Sequence, residues 1–375
     1  RFHALMGACL HESCSLIRLA FPCMIVQIAR MAALAMKFPF LGRLGDATIL
    51  AGIGLGSSTV SCLIWCPLVG VNTYLDTVVS QAFGAQEHRQ SGCALHRALA
   101  ILWIGFFVLG SVLGPGAYEL LILCRQDPHV ARVAADYLAA ALLATLAAVH
   151  VDAIGRFLTN QRKAQPVFIA ALVSLPLHAL MCWLCIEKLV VQQHVLSAVS
   201  GACLAECLTR WLTLLMLLLA THAWQLVPSE AWFCISRDSF RGITAHAQLA
   251  VPSAFMYAFE LWVFEAMLVL AGLLGESSLA SFTITNNVHL IVFALPLGVS
   301  SALSTCVGNA IGRMDYVSAK YAIAAGTCFG LCVTFVSMAV IFILRRQLGL
   351  AMSGNQEVAA AFASAVPAYV FYIFS

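Results

Sequence analysis

Long apolar runs are the feature that most constrains how this chain can fold. Runs of about 18–25 apolar residues recur along the sequence, separated by short polar or Gly- and Pro-containing stretches. A transmembrane α-helix needs about 20 mostly apolar residues, whereas a barrel strand needs about ten residues of alternating polarity. The runs do not alternate, so they predict membrane-spanning helices and exclude membrane β-strands.

The composition excludes the soluble classes of protein. Only 10% of the 375 residues are charged and 62% are hydrophobic, whereas soluble domains carry about 25% charged residues. Too few polar side chains are present to cover a soluble surface, which excludes a soluble enzyme, a nucleic-acid binder and a disordered scaffold. We expect an integral, multi-pass membrane protein that contacts membrane lipids and has no nucleic-acid partner.

Ten apolar segments divide the chain, and one long polar connection lies among them. The segments are 14–36, 47–72, 98–122, 131–154, 166–186, 195–221, 247–273, 279–303, 318–344 and 358–375. The connection follows the sixth segment, which predicts a first helical bundle over 1–221, a linker over 222–245 and a second bundle over 246–375. Basic residues favour the loops on the linker's side by nine to seven, so the linker is predicted to be cytoplasmic.

An internal repeat relates the two predicted bundles. Residues 70–84 and 298–312 share seven of fifteen positions at an offset of 228, and LAFP at 19–22 recurs as LAVP at 249–252. Six spans per copy is an even number, so both copies enter the membrane from the same side and form a parallel repeat. The predicted fold is all-α, with two parallel-repeat six-helix bundles. At this offset the second copy would end near residue 449, so we expect an incomplete second bundle with about ten spans in all.

Two acidic residues stand in the seventh apolar segment. Glu260 and Glu265 follow Pro252 in the run LAVPSAFMYAFELWVFEAMLVL. Five residues of helix place the two carboxylates about 140° apart and roughly 7.5 Å along the axis, so both can border a cavity if the helix bends at the proline. An acid inside a membrane costs about 2.5–3.5 kcal/mol on insertion scales, so it needs a partner, water or a function. The pair is interpreted as a proton- or cation-coupling site, and the alternative is a pair of protonated structural carboxyls.

Five other charged residues in or near the segments are interpreted as structural. Asp76 lies just before SQAFGA and is interpreted as a contact that orders that turn. Asp152 and Arg156 are four residues apart, and so are Glu206 and Arg210. Each acid is therefore expected to neutralise its neighbouring arginine.

Two other features have packing as their simpler explanation. The histidines within spans, His178 and His289, are expected to be hydrogen-bonded packing residues, with a proton relay as the alternative. The glycines of GIGLG at 52–56 predict close helix packing rather than phosphate binding.

Three functional classes fit a membrane chain with these residues. A six-plus-six repeat with acids in one span is what a carrier that works by alternating access requires. An intramembrane enzyme would need a cluster of nucleophiles or metal ligands, and the histidines and acids are scattered along the sequence. A membrane scaffold or an inactive piece of a longer protein is the third class. The residues favour the carrier.

Several motifs resemble the eukaryotic branch of the multidrug and toxic compound extrusion (MATE) transporters. They are LDTVVSQAFGAQ (75–86), RQDP (125–128), RFLTNQRKAQPV (156–167), LAVPSAFMYAFELWVFEAMLVLAGLL (249–274) and LPLGVSSALSTCVGNAIG (295–312). The resemblance implies two six-helix lobes and export of small organic compounds, cationic or xenobiotic, in exchange for H⁺ or Na⁺, with no other cofactor. It implies a multi-pass protein of the plasma membrane or of a vacuolar or other organelle membrane, and we expect the chain to act as a monomer.

The resemblance also carries site residues. The family's span-seven motif has two acids five residues apart, which match Glu260 and Glu265. The acid and the glutamine of its turn motif match Asp76 and Gln81. The resemblance therefore implies that Glu260 and Glu265 couple ion and substrate. Glu260 is expected to be the main proton-binding group because it lies nearer the bending point at Pro252.

Two positions depart from the family's pattern. Animal members have a further acid in span eight. This chain has Asn287 at that position, and the plant-like members also lack the acid. Another family acid, in span ten, would fall at or just after Ser375. Asn287 and Pro252 are grouped with Asp76 and Gln81 as residues that support the site.

Overall fold

The protein is described by a computed structural model that covers residues 2–192, 196–233, 235–273, 276–353 and 356–374. The helices in chain order are α1 (Phe2–Ala35), α2 (Phe38–Gly42), α3 (Ala47–Val60), α4 (Cys66–Gly84), α5 (His88–Leu123), α6 (Pro128–Asn160), α7 (Ala164–Cys182), α8 (Ala198–Ala223), α9 (Ile243–Leu273), α10 (Glu276–Gly312), α11 (Tyr316–Ser353) and α12 (Gln356–Phe374). A π-helical turn joins α3 to α4, a longer π-helical stretch continues α7, and a 3₁₀ turn precedes α9. The predicted all-α fold is confirmed.

Nine helical segments within the described ranges are long and apolar enough to cross a membrane, judged by length and composition. The tenth predicted segment coincides with α12, whose apolar stretch Ala359–Val370 is shorter. Several helices extend past the predicted apolar segments, since α5 begins at His88 rather than 98 and α10 ends at Gly312 rather than 303. Hydrophobicity marks only the part of a helix that faces lipid, whereas backbone hydrogen bonding continues into the polar residues beyond it.

Capping residues explain where several helices begin. The side chain of Asp46 accepts two backbone N–H groups at the start of α3, and that of Asp127 does the same at the start of α6. Pro128 follows directly at the first helical position, where its missing N–H is not needed. Ser197 caps α8 in the same way. Each cap satisfies backbone donors that have no partner inside the helix.

The chain packs into two compact units. One comprises Arg1–Met31, Phe259–Leu303 and Lys320–Ser375, and the other comprises Ala32–Ala258 and Ser304–Ala319. The first unit has an apolar core formed by side chains of α10, α11 and α12, and the second has a core formed by side chains of α2 to α8. The division of the sequence at the linker, 1–221 and 246–375, stays a prediction about chain order.

Close packing by small residues holds α3 on α6. A Cβ added to Gly56 would lie 2.7 Å from the carbonyl oxygen of Ala134, and one added to Gly52 would lie 2.5 Å from the side chain of Val133. Glycines of this kind allow helix backbones to approach each other in a membrane. The packing role predicted for GIGLG is confirmed.

The internal repeat recurs in the packing of each unit. In one unit, a Cβ on Gly70 of α4 would lie 2.6 Å from the Cα of Ala254 in α9. In the other, a Cβ on Gly298 of α10 would lie 2.4 Å from the Cα of Met24 in α1. The two glycines are 228 residues apart and their partners 230, which are the offsets of the sequence repeat.

The ends of α4 and α10 also meet, within the second unit, in a reciprocal contact. A Cβ on Gly84 would lie 2.2 Å from the carbonyl oxygen of Asn309, and a Cβ on Gly312 would lie 2.1 Å from that of Gln81. Gln81 and Asn309 are related by the offset of 228, as are Gly84 and Gly312. We call this contact of four residues the glycine crossing. The two copies of one motif therefore pack against each other.

Adding a methyl group at the glycine crossing should force the two helices apart. We expect Gly84→Ala or Gly312→Ala to destabilise the protein by about 1–3 kcal/mol, because overpacked contacts displace backbone. Gly116→Ala in α5 is the matched control, since none of the described atoms lies within 4 Å of its added Cβ, and alanine should stabilise that helix by up to about 1 kcal/mol. Thermal unfolding of the purified protein in detergent tests this. Crossing variants as stable as Gly116→Ala would show that the helices do not meet here.

Asp315 caps α11 immediately after the glycine crossing. Its carboxylate accepts the backbone N–H of Ser318 at 3.0 Å, and this hydrogen bond holds the pKa of Asp315 below its usual value. Glu87, at the equivalent position of the first repeat, makes no such capping bond at the start of α5.

This cap should act only above acidic pH. A lowered folded-state pKa gives stability that is present above the pKa of the unfolded chain and lost as the pH falls through the folded value. We expect Asp315→Ala to speed hydrogen exchange of the Ser318 amide at neutral pH and to have little effect under strongly acid conditions. Glu87→Ala is the control and should leave exchange at the start of α5 unchanged. Equal effects of the two substitutions at neutral pH would contradict the capping role.

The linker packs against the beginning of α5. Arg97 donates from Nε to the carbonyl oxygen of Ser239 at 3.0 Å, and Nδ1 of His96 lies 3.0 Å from the Ser239 hydroxyl. The linker therefore lies on the same side of its unit as the beginning of α5. Its cytoplasmic location stays a prediction.

Candidate functional site

The two acids of α9 lie on one uninterrupted helix. Glu260 is exposed and Glu265 is half-buried, as expected for carboxylates that point in different directions around the axis. Within the described side chains, no ion pair to Glu260 is present. Pro252 is exposed two turns earlier in the same helix, and the boundary between the two compact units falls between Ala258 and Phe259.

An aromatic group stands beside these acids in the same unit. The ring of Phe264, next in sequence to Glu265, lies 4.4 Å from the ring of His289. His289 also stacks on Phe293 at 5.3 Å and meets the ring of Tyr369 edge-on at 5.7 Å. We call Phe264, His289, Phe293 and Tyr369 the aromatic group. It joins α9, α10 and α12.

His178 and His289 are hydrogen-bonded packing residues, as predicted. His178 is buried with Nδ1 3.0 Å from the hydroxyl of Thr209, and His289 is buried with Nδ1 2.7 Å from the hydroxyl of Tyr369. Asn287, two residues before His289, has its side chain outside the described part of the structure.

Asp76 belongs to an ionic cluster between α4 and α6. Arg156 forms ion pairs with both Asp76 and Asp152, and its Nε lies 2.9 Å from Asp152. Asn160 donates to Asp76 at 2.9 Å, and Asn72 donates to Asp152 at 3.2 Å. The predicted pairing of Asp152 with Arg156 is confirmed, but that arginine also holds a second acid. We call these five residues the Arg156 cluster.

The role expected for Asp76 as a contact to the SQAFGA turn differs from what is observed. Helix α4 continues to Gly84, so Asp76 lies two turns before its end and faces Arg156. The Arg156 cluster instead reaches α10, since Thr305 donates to the side-chain oxygen of Asn160 at 2.9 Å. Gln81 is partly buried in α4, and its backbone carbonyl forms part of the glycine crossing.

A second buried ionic cluster escaped the sequence analysis. Nζ of Lys37 lies 2.6 Å from the hydroxyl of Tyr137, 3.0 Å from that of Ser57 and 3.2 Å from the carboxylate of Glu206. Arg210, the partner predicted for Glu206, lies farther away at 3.9 Å. Lys37 directly follows the first apolar segment, a position that favours an exposed loop, yet its side chain is only 2% exposed. Because Arg210 is the local partner of Glu206, nothing in the sequence pattern indicated a second cation.

Comparison with known proteins identifies the family. The MatE family model matches residues 22–184 and 252–375. Protein DETOXIFICATION 16 from Arabidopsis thaliana is 28% identical over 351 residues, which are 93% of this chain and 70% of that protein. Multidrug and toxin extrusion protein 1 from Danio rerio is 27% identical over 361 residues, 96% of this chain and 60% of that protein.

The fold is shared with a solved structure of the same kind. The crystal structure of the eukaryotic MATE transporter AtDTX14 superposes with a TM-score of 0.88 at 22% identity, over 97% of this chain and 80% of that one. This superposition agrees with the all-helical, two-bundle architecture of the present chain. The chain therefore belongs to the MATE family and is an integral, multi-pass membrane transporter of the multidrug-efflux class, and not an enzyme.

Proposed function

We propose that this protein exports small organic compounds, cationic or xenobiotic, in exchange for H⁺ or Na⁺ by alternating access. Glu260 is the main proton- or cation-binding group, and Glu265 supports it. The observation that carries this proposal is the contrast between Glu260 and the acids of the two buried ionic clusters. Asp76 and Asp152 are held by one arginine and Glu206 by a lysine, whereas Glu260 has no ion pair within the described side chains.

The contrast matters because a paired acid is already neutralised. The charge of a carboxylate held by Lys or Arg is compensated, and removing its partner would leave an unpaired buried charge. A carboxylate without a basic partner in a membrane span carries the insertion cost itself. It lowers that cost by binding a proton, a metal cation or a cationic substrate, which is the property an exchange site needs.

Competition between the proton and the cationic substrate for the carboxylate of Glu260 accounts for the exchange of one for the other. Protonation removes the charge of Glu260, so that closing the protein over it no longer requires burying an ion. A cationic substrate favours the ionised form, so proton and substrate exclude each other. Each ligand shifts the equilibrium between the two states of the carrier by its differential affinity for them.

The aromatic group supports an organic cation as the substrate. Phe264 is next in sequence to Glu265, and Phe293 lies in the same unit, where both rings pack on His289. Aromatic faces attract cations within about 6 Å, and the attraction grows when water is excluded. The names of the relatives, which refer to detoxification and to multidrug and toxin extrusion, support a xenobiotic as the substrate.

The supporting residues complete the proposal. Pro252 removes one hydrogen bond of the α9 backbone and provides a bending point before Glu260, and Asn287 stands in span eight of the same bundle. Asp76 and Gln81 act at the glycine crossing and the Arg156 cluster. The transporter acts as a monomer among lipids of the plasma membrane or of a vacuolar or other organelle membrane, and its cofactor requirement is limited to the coupling ion.

Transport in liposomes tests the proposal. Purified protein is reconstituted, and accumulation of a fluorescent organic cation is followed under an imposed pH gradient, an imposed Na⁺ gradient, or neither. We expect accumulation under one of the two gradients, collapse with an ionophore for that ion, and none in protein-free liposomes. Dye movement that is the same with and without both gradients would contradict ion exchange.

A further inference from the structure

The ammonium group of Lys37 is surrounded by oxygen atoms. Three oxygens from three different helices, those of Ser57 in α3, Tyr137 in α6 and Glu206 in α8, lie 2.6–3.2 Å from Nζ. An ammonium group has three N–H donors, so each donor has one acceptor. Tyr137 also donates to Glu206 at 3.0 Å, which ties two of the three acceptors together. We call Ser57, Tyr137 and Glu206 the oxygen cage.

The oxygen cage has the chemistry of a monovalent-cation site. It offers two hydroxyls and one carboxylate, so a single positive charge balances it. The ring of Phe38 adds cation–π attraction, with Nζ 5.7 Å from its centroid. Lys37 and Tyr137 are almost completely buried. A charge in such a place is stable only while its counter-charge stays with it.

We propose that Lys37 is a tethered cation that permanently fills a monovalent-cation site formed by the oxygen cage. The lysine is part of the chain, so its ammonium stays in the cage while free ions exchange elsewhere. If the proposed function holds, ion exchange is thereby confined to the acids of α9. Without the lysine side chain, the cage would accept a free alkylammonium ion or Na⁺.

Other charged and polar side chains lie near the cage on α8 and on the neighbouring helix α7. Arg210 lies 3.9 Å from Glu206 on the same helix, α8. On α7, the buried His178 is bonded to Thr209 and lies 3.7 Å from the thiol of Cys182. Because Arg210 could move toward Glu206 when Lys37 is removed, the test includes a variant without that arginine.

Chemical rescue tests the tethered cation. Lys37→Ala removes the ammonium and three methylene groups, which leaves room for n-propylammonium. We expect the variant to unfold at lower temperature than the wild type and n-propylammonium chloride to raise that temperature by several degrees in a saturable manner, with NaCl acting more weakly. Tetramethylammonium chloride, which has no N–H donor, is the matched salt. The wild type and Lys37→Ala/Glu206→Gln should show no rescue beyond this salt.

Each outcome decides the matter. Rescue of Lys37→Ala by n-propylammonium that is lost with Glu206→Gln supports the cage. Rescue no larger than that by tetramethylammonium overturns it, provided Lys37→Ala/Arg210→Gln gives the same result. If Lys37→Ala does not fold, it is extracted with n-propylammonium present, and Lys37→Met/Glu206→Gln serves as the folded reference. Recovery of folded variant supports the proposal, and failure to recover it counts against it. The readout is stability, so it stands apart from the transport assay of the proposed function.

Discussion

Glu260→Gln is expected to abolish ion-driven accumulation of an organic cation, to the level of protein-free liposomes. Glutamine has the shape of the protonated acid but cannot gain or lose a charge. The variant is therefore fixed in the neutral form, and neither a proton gradient nor a cationic substrate can change its preference between the two states of the carrier. Dye uptake by reconstituted liposomes under an imposed pH gradient measures the effect. Glu265→Gln should weaken uptake without abolishing it.

The matched control is an exposed acid of another span. Glu119 lies near the end of α5 and is exposed, as Glu260 is, so Glu119→Gln removes an equivalent charge outside the site. It should transport at the wild-type rate. Wild-type rates in Glu260→Gln would show that the coupling acid lies elsewhere in the protein.

Arg156→Gln is expected to cause the largest loss of stability of any single substitution considered for this protein. One guanidinium holds two carboxylates, and the side chains of Arg156, Asp76 and Asp152 are 17%, 18% and 4% exposed. Removing one partner of a buried ion pair costs about 3–5 kcal/mol, because the remaining charge has no compensation. Thermal or chemical unfolding of the purified protein in detergent measures this cost.

Two comparisons separate the buried charge from the loss of an arginine as such. Arg43→Gln breaks an ion pair with Glu187 in which the arginine is 63% exposed, and it should cost at most about 1 kcal/mol. Arg156→Gln combined with Asp76→Asn and Asp152→Asn should recover most of the stability, since no charge is left unpaired. A cost for Arg156→Gln equal to that for Arg43→Gln would show that the Arg156 cluster does not hold α4 and α6 together.

The helical membrane fold, its internal repeat and its family could all be predicted from the order of the residues. These features depend on free energies that are local along the chain: the transfer of about 20 apolar residues into lipid, and backbone hydrogen bonding within one helix. The offset of 228 was also readable, because the repeat preserves residue types at fixed spacing. The local pairing of Asp152 with Arg156 follows from the same logic, since residues four apart share one helix face.

Which charged residues meet across helices depends on the three-dimensional packing and could not be predicted. Glu206 has Arg210 one turn away, yet its nearest cation is Lys37, which is 169 residues distant in sequence. Asp76 likewise pairs with Arg156, 80 residues away, rather than with the turn that follows it. The two repeat motifs also touch at the glycine crossing, which no offset can indicate. Helix periodicity specifies which side chains share a face, but the partner of that face depends on how separate helices pack in three dimensions.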